Sequence, residues 1–139
     1  MRDILLAKWA DIGNRLVELA EAIPGNRYDF RPVDGVRTVA DQLRHAAFWN
    51  EYARGKLRGE SPDDAANELP ASQFSTKSKI VDAVRASVAS VAEELRRRER
   101  VTRAVAETMV TYIEHSAEHY GQLVVYCRLN DIVPPASRG

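Results

Sequence analysis

The stretch "IEHSAEHYGQLVVYCRLNDIVPP", Ile113 to Pro135, decides the fold. His115 and His119 are four residues apart, so they lie on the same face of a helix. That face follows the spacing of the inward seam of a helical bundle, where Leu and Ile are usual. Here the seam carries Tyr, His, His, Gln and Tyr, at positions 112, 115, 119, 122 and 126. Burying polar groups is costly unless they have partners. The sequence therefore predicts a helix whose inner polar side chains are each bound to a partner, such as a metal ion.

Working outward, the apolar residues recur at threes and fours in three further segments. They predict helices at about Arg2–Ala22, Thr38–Leu57 and Thr76–Arg98, and the quoted stretch ends a fourth helix at about Thr102–Leu129. No strand pattern and no internal repeat is present. We therefore predict an all-α protein, a single domain over residues 1–139 that folds as a four-helix bundle.

Composition excludes several classes of function. The chain has 20 basic and 20 acidic residues, and a net charge of zero argues against a nucleic-acid binder. No run approaches the roughly 20 apolar residues of a membrane span, and charges interrupt the N-terminal apolar pattern, unlike a secretion signal. The single cysteine, Cys127, lies in an apolar helical run, which predicts a buried structural thiol. We expect a cytoplasmic protein without disulfides.

The three histidines are the candidate chemistry. His45 lies near the middle of the second predicted helix, on a face shared with Gln42 and Trp49. If this helix neighbours the fourth, His45 approaches His115 and His119. Three neutral imidazoles with open positions would make a catalytic-type site for a divalent ion such as zinc or nickel. The alternative is that the histidines are hydrogen-bonded core residues.

Two smaller features allow competing interpretations. Residues 115–119 match the H-x-x-E-H string of one zinc-peptidase class, with Glu118 as its base. A bundle of this size leaves little room for a peptidase cleft, so a solvated or supporting role for Glu118 is the better prediction. Gly121, within the fourth helix, indicates either close helix packing, space beside a ligand, or simple tolerance.

Two segments together carry a family resemblance. "HSAEHYGQLVVYCRLNDIVPP" resembles the last helix of the DinB/YfiT-like superfamily, with its H-x-x-x-H, G-Q and terminal Pro-Pro. "FRPVDGVRTVADQLRHAAFWNEY" resembles the second signature of that superfamily, a loop and helix with one histidine. Asp131 stands where the family commonly has glycine, and the connection "RRRERVTR" between the third and fourth helices is short.

The resemblance implies a four-helix bundle with long crossover connections. It implies a divalent metal ion held by His45, His115 and His119. Members include transferases and isomerases that use low-molecular-weight thiols, with the metal thought to activate the thiol, and many are homodimers. These properties are expectations for this chain.

Three functional hypotheses follow. The first is a metal-dependent enzyme, a thiol-dependent transferase or a hydrolase, that acts on a small molecule, with Tyr112, Glu118 and Gln122 as supporting catalytic residues. The second is a non-catalytic metal-binding or stress-related dimeric bundle protein, and the third is an interaction module. One role for Arg31, Arg37 and Arg44 is to bind a carboxylate of the substrate or the thiol, but the sequence favours surface charges at these positions.

Overall fold

The chain forms four helices without a strand. A computed structural model describes residues 1–139. The helices are α1 (Arg2–Ala22), α2 (Val39–Leu57), α3 (Lys77–Arg96) and α4 (Arg103–Leu129). The predicted all-α four-helix bundle is confirmed, and each helix begins and ends within two residues of the predicted bounds. None of the four helices combines the length and the apolar character that crossing a bilayer requires.

The two hydrophobic clusters of the core define the directions of the helices. The larger cluster joins the C-terminal halves of α1 and α4 to the N-terminal halves of α2 and α3. The smaller cluster joins the opposite halves. Helices α1 and α4 therefore run one way and α2 and α3 the other. Each of α1 and α2 packs against both α3 and α4.

This topology makes the connection between α2 and α3 cross the length of the bundle, because the two helices are parallel. Residues 58–76, here called the α2–α3 connection, return along α2. The backbone N–H of Leu69 donates to the Arg44 carbonyl at 3.3 Å, and Leu69 and Phe74 pack on the larger cluster. The long crossover implied by the resemblance is therefore present.

Arg44 corrects one expectation from the sequence. It was predicted to be a surface charge, but it is only 9% exposed. Its guanidinium donates to the Phe74 carbonyl at 2.9 Å and to the Asp41 carboxylate at 2.7 Å. Arg44 thus anchors the α2–α3 connection to α2. The periodicity of α2 does not indicate that Phe74 would be its partner.

The helix ends explain two features of the sequence. The Thr38 hydroxyl accepts from the Asp41 N–H at 3.1 Å, and the Asp41 carboxylate accepts from the Thr38 N–H at 3.4 Å, which completes a capping box. Thr76 and Thr102 cap α3 and α4 through their hydroxyls. Asp131, just after α4, has φ 57°, a left-handed conformation that glycine adopts most easily and aspartate tolerates.

The loop between α1 and α2 is held against the bundle by aromatic residues. Tyr28 is buried and its hydroxyl donates to the Ala20 carbonyl at 2.6 Å. Phe30 meets Tyr126 of α4 edge to face, with ring centroids 5.8 Å apart. Cys127, the next residue of α4, is buried, and burial raises the pKa of its thiol. This fits the predicted structural role.

Candidate metal centre

The antiparallel contact of α2 with α4 brings all three histidines together. One nitrogen from each of His45, His115 and His119 lies within 4.8 Å of the other two. The Nε2 atoms of His45 and His115 are 3.1 Å apart. His45 and His119 are buried, and His115 is half-buried. The predicted approach of the second helix to the fourth is therefore observed.

Hydrogen bonds fix which nitrogen of His45 carries the proton. Its Nδ1 lies 2.8 Å from the backbone carbonyl of Asn67, in the α2–α3 connection. A carbonyl can only accept, so Nδ1 donates and Nε2 keeps a free lone pair. That lone pair faces the other two histidines.

His119 is held in the same way by a glutamine of α2. Its Nδ1 lies 2.5 Å from Gln42 Oε1. The orientation of the Gln42 amide follows from its other contacts, because Nε2 donates to Gln122 Oε1 at 2.6 Å. The Tyr126 hydroxyl donates to the Arg37 carbonyl at 2.7 Å, so its oxygen accepts from Gln42 Nε2 at 3.5 Å. His119 therefore also carries its proton on Nδ1 and presents a lone pair on Nε2.

His115 differs from the other two. Its Nδ1 is buried and has no hydrogen-bond partner. Its Nε2 faces His45 Nε2, which already has the lone pair just described. A structural core histidine is expected to have its buried nitrogens satisfied. His115 is therefore not fully accounted for as a hydrogen-bonded core residue, and its chemistry fits a metal ligand.

Electrostatics keep the cluster neutral and therefore available for coordination. Burial, and then the neighbouring imidazoles, lower the pKa of His119 to about 3. Burial lowers the pKa of His115 to about 4, with His45 adding to the shift and Glu118 opposing it. Burial and Arg37 lower the pKa of His45, against the hydrogen bond to Asn67. Neutral imidazole is the form that binds metal ions.

The donor set fits a divalent transition ion with open coordination positions. Nitrogens bound at about 2.0–2.1 Å in a tetrahedral site lie roughly 3.4 Å apart, so the three nitrogens, which lie within 4.8 Å of one another, would close on an ion by side-chain shifts of about an ångström. No carboxylate or thiolate belongs to the group, and a structural zinc site normally has four protein ligands. The three-histidine cluster can thus bind an ion and leave room for a further ligand.

The three predicted supporting residues occupy different surroundings. Tyr112 belongs to an aromatic flank beside His115, where its ring stacks on Trp49 with centroids 6.3 Å apart. Gln122 is joined to the site through Gln42. Glu118 is exposed, its carboxylate has no hydrogen bond or ion pair, and its charge acts on the pKa of His115.

A cleft of about 800 Å³ is lined by Gln42, the hydrogen-bond partner of His119, and not by the histidines themselves. It lies between α4 and the segment that leads into α2. Gln122 also lines it, and the other polar lining residues include Arg31, Arg37, Glu68 and Tyr126. Arg37 Nε donates to Glu68 at 2.7 Å, so much of the charge in the cleft is internally paired.

Sequence reasoning missed Asn67 and the role of Gln42. The sequence could have indicated Gln42 as a partner within the site, because it lies three residues before His45 on the same helix face. Asn67 had none, since the segment "DDAANELP" reads as an ordinary loop. Gly121 also proves unremarkable in its packing, because a Cβ atom there would meet nothing within 4 Å.

Comparison with known proteins agrees with this geometry. A search among curated proteins returned no match. The family model described as DinB superfamily matches residues 9–123, which include α2, α3, all three histidines and most of α1 and α4. That match covers well over half of the sequence, and it spans both helices that supply the imidazoles. On this evidence the chain is a member of the DinB superfamily.

Proposed function

We propose that this protein is a divalent-metal-dependent enzyme that acts on a small molecule, as a thiol-dependent transferase or a hydrolase. The observation that carries the proposal is the convergence of three neutral imidazoles, one of which is hydrogen-bonded to a glutamine that lines a cleft. His45, His115 and His119 would hold the ion, with zinc or nickel as the first candidates. Such an ion supplies Lewis acidity, which lowers the pKa of a thiol or a water molecule at an open position.

Other residues around the proposed metal site would position the ligands and the substrate. Gln42 holds the tautomer of His119. Gln122 lines the cleft, and we assign it the orientation of substrate. Tyr112 and Trp49 form an apolar flank that excludes water beside His115, and burial raises the pKa of Tyr112 to about 12, so its hydroxyl stays protonated.

Glu118 is the remaining candidate from the sequence. It is exposed on α4 between the two histidines of that helix. We propose that it exchanges protons with solvent at the rim of the site. Glu118→Gln tests this role, with a lowered turnover and unchanged metal content as the expected result.

Thiol binding gives the most direct functional test. The protein is loaded with Co²⁺ and titrated with a low-molecular-weight thiol, and the near-ultraviolet sulfur-to-cobalt charge-transfer band is recorded. We expect the band to appear with the wild type and to be absent from His115→Ala. Consumption of the thiol with an alkyl halide or an epoxide then measures transfer. A Co²⁺-loaded protein that shows neither the band nor any transfer or hydrolysis would contradict the enzymatic proposal.

The non-catalytic alternative requires a different site. A purely structural ion would be closed by a fourth protein ligand, and no acidic side chain joins the three histidines. The absence of that ligand favours the enzyme. Exchangeable water on the Co²⁺-loaded protein, measured by relaxation of solvent protons, separates the two.

We also propose a cytoplasmic homodimer, following the resemblance and the single unpaired cysteine. Val125 and Leu129 of α4 are 55% and 57% exposed, and they offer apolar area for a partner copy. Light scattering coupled to size exclusion gives the mass in solution. A monomer at micromolar concentration would contradict the dimer and leave the metal site untouched.

A further inference from the structure

Asn67 has an unusual backbone for a residue other than glycine. Its φ is 60°, in the left-handed region, within the α2–α3 connection. The N–H of Glu68 donates to the Ala66 carbonyl at 2.7 Å, which closes a γ-turn around Asn67. Backbone conformations of this kind persist where surrounding contacts hold them, and they cluster at functional sites. The contacts that hold Asn67 therefore indicate its role.

Both polar oxygens of Asn67 are bound to α2. Its backbone carbonyl accepts from His45 Nδ1 at 2.8 Å. Its side-chain Oδ1 accepts from the indole N–H of Trp49, also at 2.8 Å. His45 and Trp49 are four residues apart, so they lie on one face of α2 and a single residue of the connection bridges them.

The direction of these two bonds is fixed by chemistry. The indole N–H can only donate, so the Asn67 carboxamide must present its oxygen to Trp49. With the side chain held there, the turn aims the Asn67 carbonyl at His45. A carbonyl can only accept, so His45 must carry its proton on Nδ1. The lone pair of Nε2 is then directed at His115 and His119.

We propose that Asn67 is a positioning residue that holds His45 in the Nδ1-protonated tautomer, with Nε2 facing the other two histidines. Trp49 clamps the carboxamide and so keeps the carbonyl in place. The inference rests on the proposed function in one respect, because the free Nε2 is the atom offered to the ion. Outer hydrogen-bond partners of ligating histidines act in this way in metal sites generally.

Neighbouring contacts of the connection distinguish this role from general anchoring. Glu68 is bound to Arg37, and Leu69 is bound to the Arg44 backbone, but neither makes a hydrogen bond to His45. If the connection only needed to be fastened, loss of the Glu68 contact would matter as much as loss of Asn67. If Asn67 positions His45, the two changes separate.

The experiment uses three variants and the full chain. Asn67→Val disfavours the left-handed backbone and so moves the carbonyl, Asn67→Gly keeps the backbone and removes the clamp, and Glu68→Ala is the matched control. Circular dichroism first establishes that each variant is helical. The tautomer of His45 is read in the metal-free protein by long-range ¹H–¹⁵N correlation spectra of the imidazoles. Zinc affinity is read by competition with a chromogenic chelator.

We expect the wild type and Glu68→Ala to show Nδ1-protonated His45, and Asn67→Val to show a mixture of tautomers. We expect zinc affinity to fall by about 10- to 100-fold in Asn67→Val, less in Asn67→Gly, and little in Glu68→Ala. A folded Asn67→Val with the wild-type tautomer overturns the inference, whatever its metal content. A wild type that takes up no zinc overturns the proposed function, and the tautomer still decides the role of Asn67.

Discussion

Two antiparallel helix contacts within this bundle have opposite chemistry. Where α1 meets α3, Trp9 is 1% exposed and Gly13 faces Val88. Where α2 meets α4, the side chains that face each other are glutamines and histidines. The first contact stabilises the fold by burying apolar area. The α2–α4 contact buries polar groups instead, and it holds imidazole nitrogens in fixed tautomers.

The difference teaches how a small bundle combines stability with chemistry. Buried polar groups require partners: Gln42 of α2 provides one for Nδ1 of His119, and Asn67 of the α2–α3 connection provides one for Nδ1 of His45. Nε2 of His45 and Nε2 of His119 then face His115, and one nitrogen from each histidine can be offered to an ion. In the α1–α3 contact, the Trp9 indole donates to the Val88 carbonyl at 2.9 Å, and further polar bonds join Glu21 to side chains of α3. Changes at the two contacts should therefore affect different measurements.

The largest expected effect comes from removing a ligand. In His119→Ala we expect added zinc to stabilise the protein no longer, because one of the three nitrogens is lost. The wild type should gain about 2.7 kcal/mol in free energy of unfolding at a zinc concentration 100 times its dissociation constant. Urea unfolding with zinc and with chelator measures both. Equal stabilisation of the variant would place the ion elsewhere.

Gln42→Leu removes the partner that holds His119 and keeps a side chain of similar size. We expect zinc affinity to fall about 10- to 100-fold, which corresponds to about 1.4–2.7 kcal/mol. Isothermal titration in a competing buffer gives the affinity. An unchanged affinity in a folded variant would mean that the Gln42–His119 hydrogen bond does not set the tautomer.

Gly13→Ala tests the apolar contact instead. A Cβ atom there would lie 2.4 Å from Val88 Cγ1, so α1 and α3 must separate or Val88 must rotate. We expect a loss of about 1–3 kcal/mol in free energy of unfolding, with unchanged zinc affinity. The comparison would fail if this variant kept its stability or lost its metal.

Gly121→Ala is the matched control for Gly13→Ala, and we expect it to have the smallest effect. The residue is exposed within α4 and has open space around its Cα, so alanine removes only the conformational cost of glycine. We expect the free energy of unfolding to rise by up to about 1 kcal/mol. Chemical denaturation in the presence of chelator measures it. A loss of stability would reveal a contact at this position that the monomer does not make.

Much of this description was accessible from the sequence, and the physical reason is periodicity. The stripe of α1, including Leu5, Trp9 and Leu16, is buried as its spacing predicts. The capping box at Thr38 is a signal of the same kind, because its two residues, Thr38 and Asp41, are close in sequence. Such signals are local, so a single chain is enough to detect them.

The remaining features depend on contacts between distant segments. Asn67 is 22 residues from His45, and no spacing rule links a loop carbonyl to a helix imidazole. Arg44 was expected at the surface because nothing near it in sequence indicates a partner. Its acceptor, the Phe74 carbonyl, is supplied by the same α2–α3 connection. The three histidines were indicated as a group by the resemblance, whereas their spacing alone left the hydrogen-bonded alternative open.

The most direct test of the central claim is the metal content of untagged protein by elemental analysis, with His45→Ala and His115→Ala measured alongside. The account predicts one divalent ion per chain in the wild type and its loss from both variants, since the site spans α2 and α4. A folded wild type that contains no metal and takes up neither zinc nor nickel would contradict it.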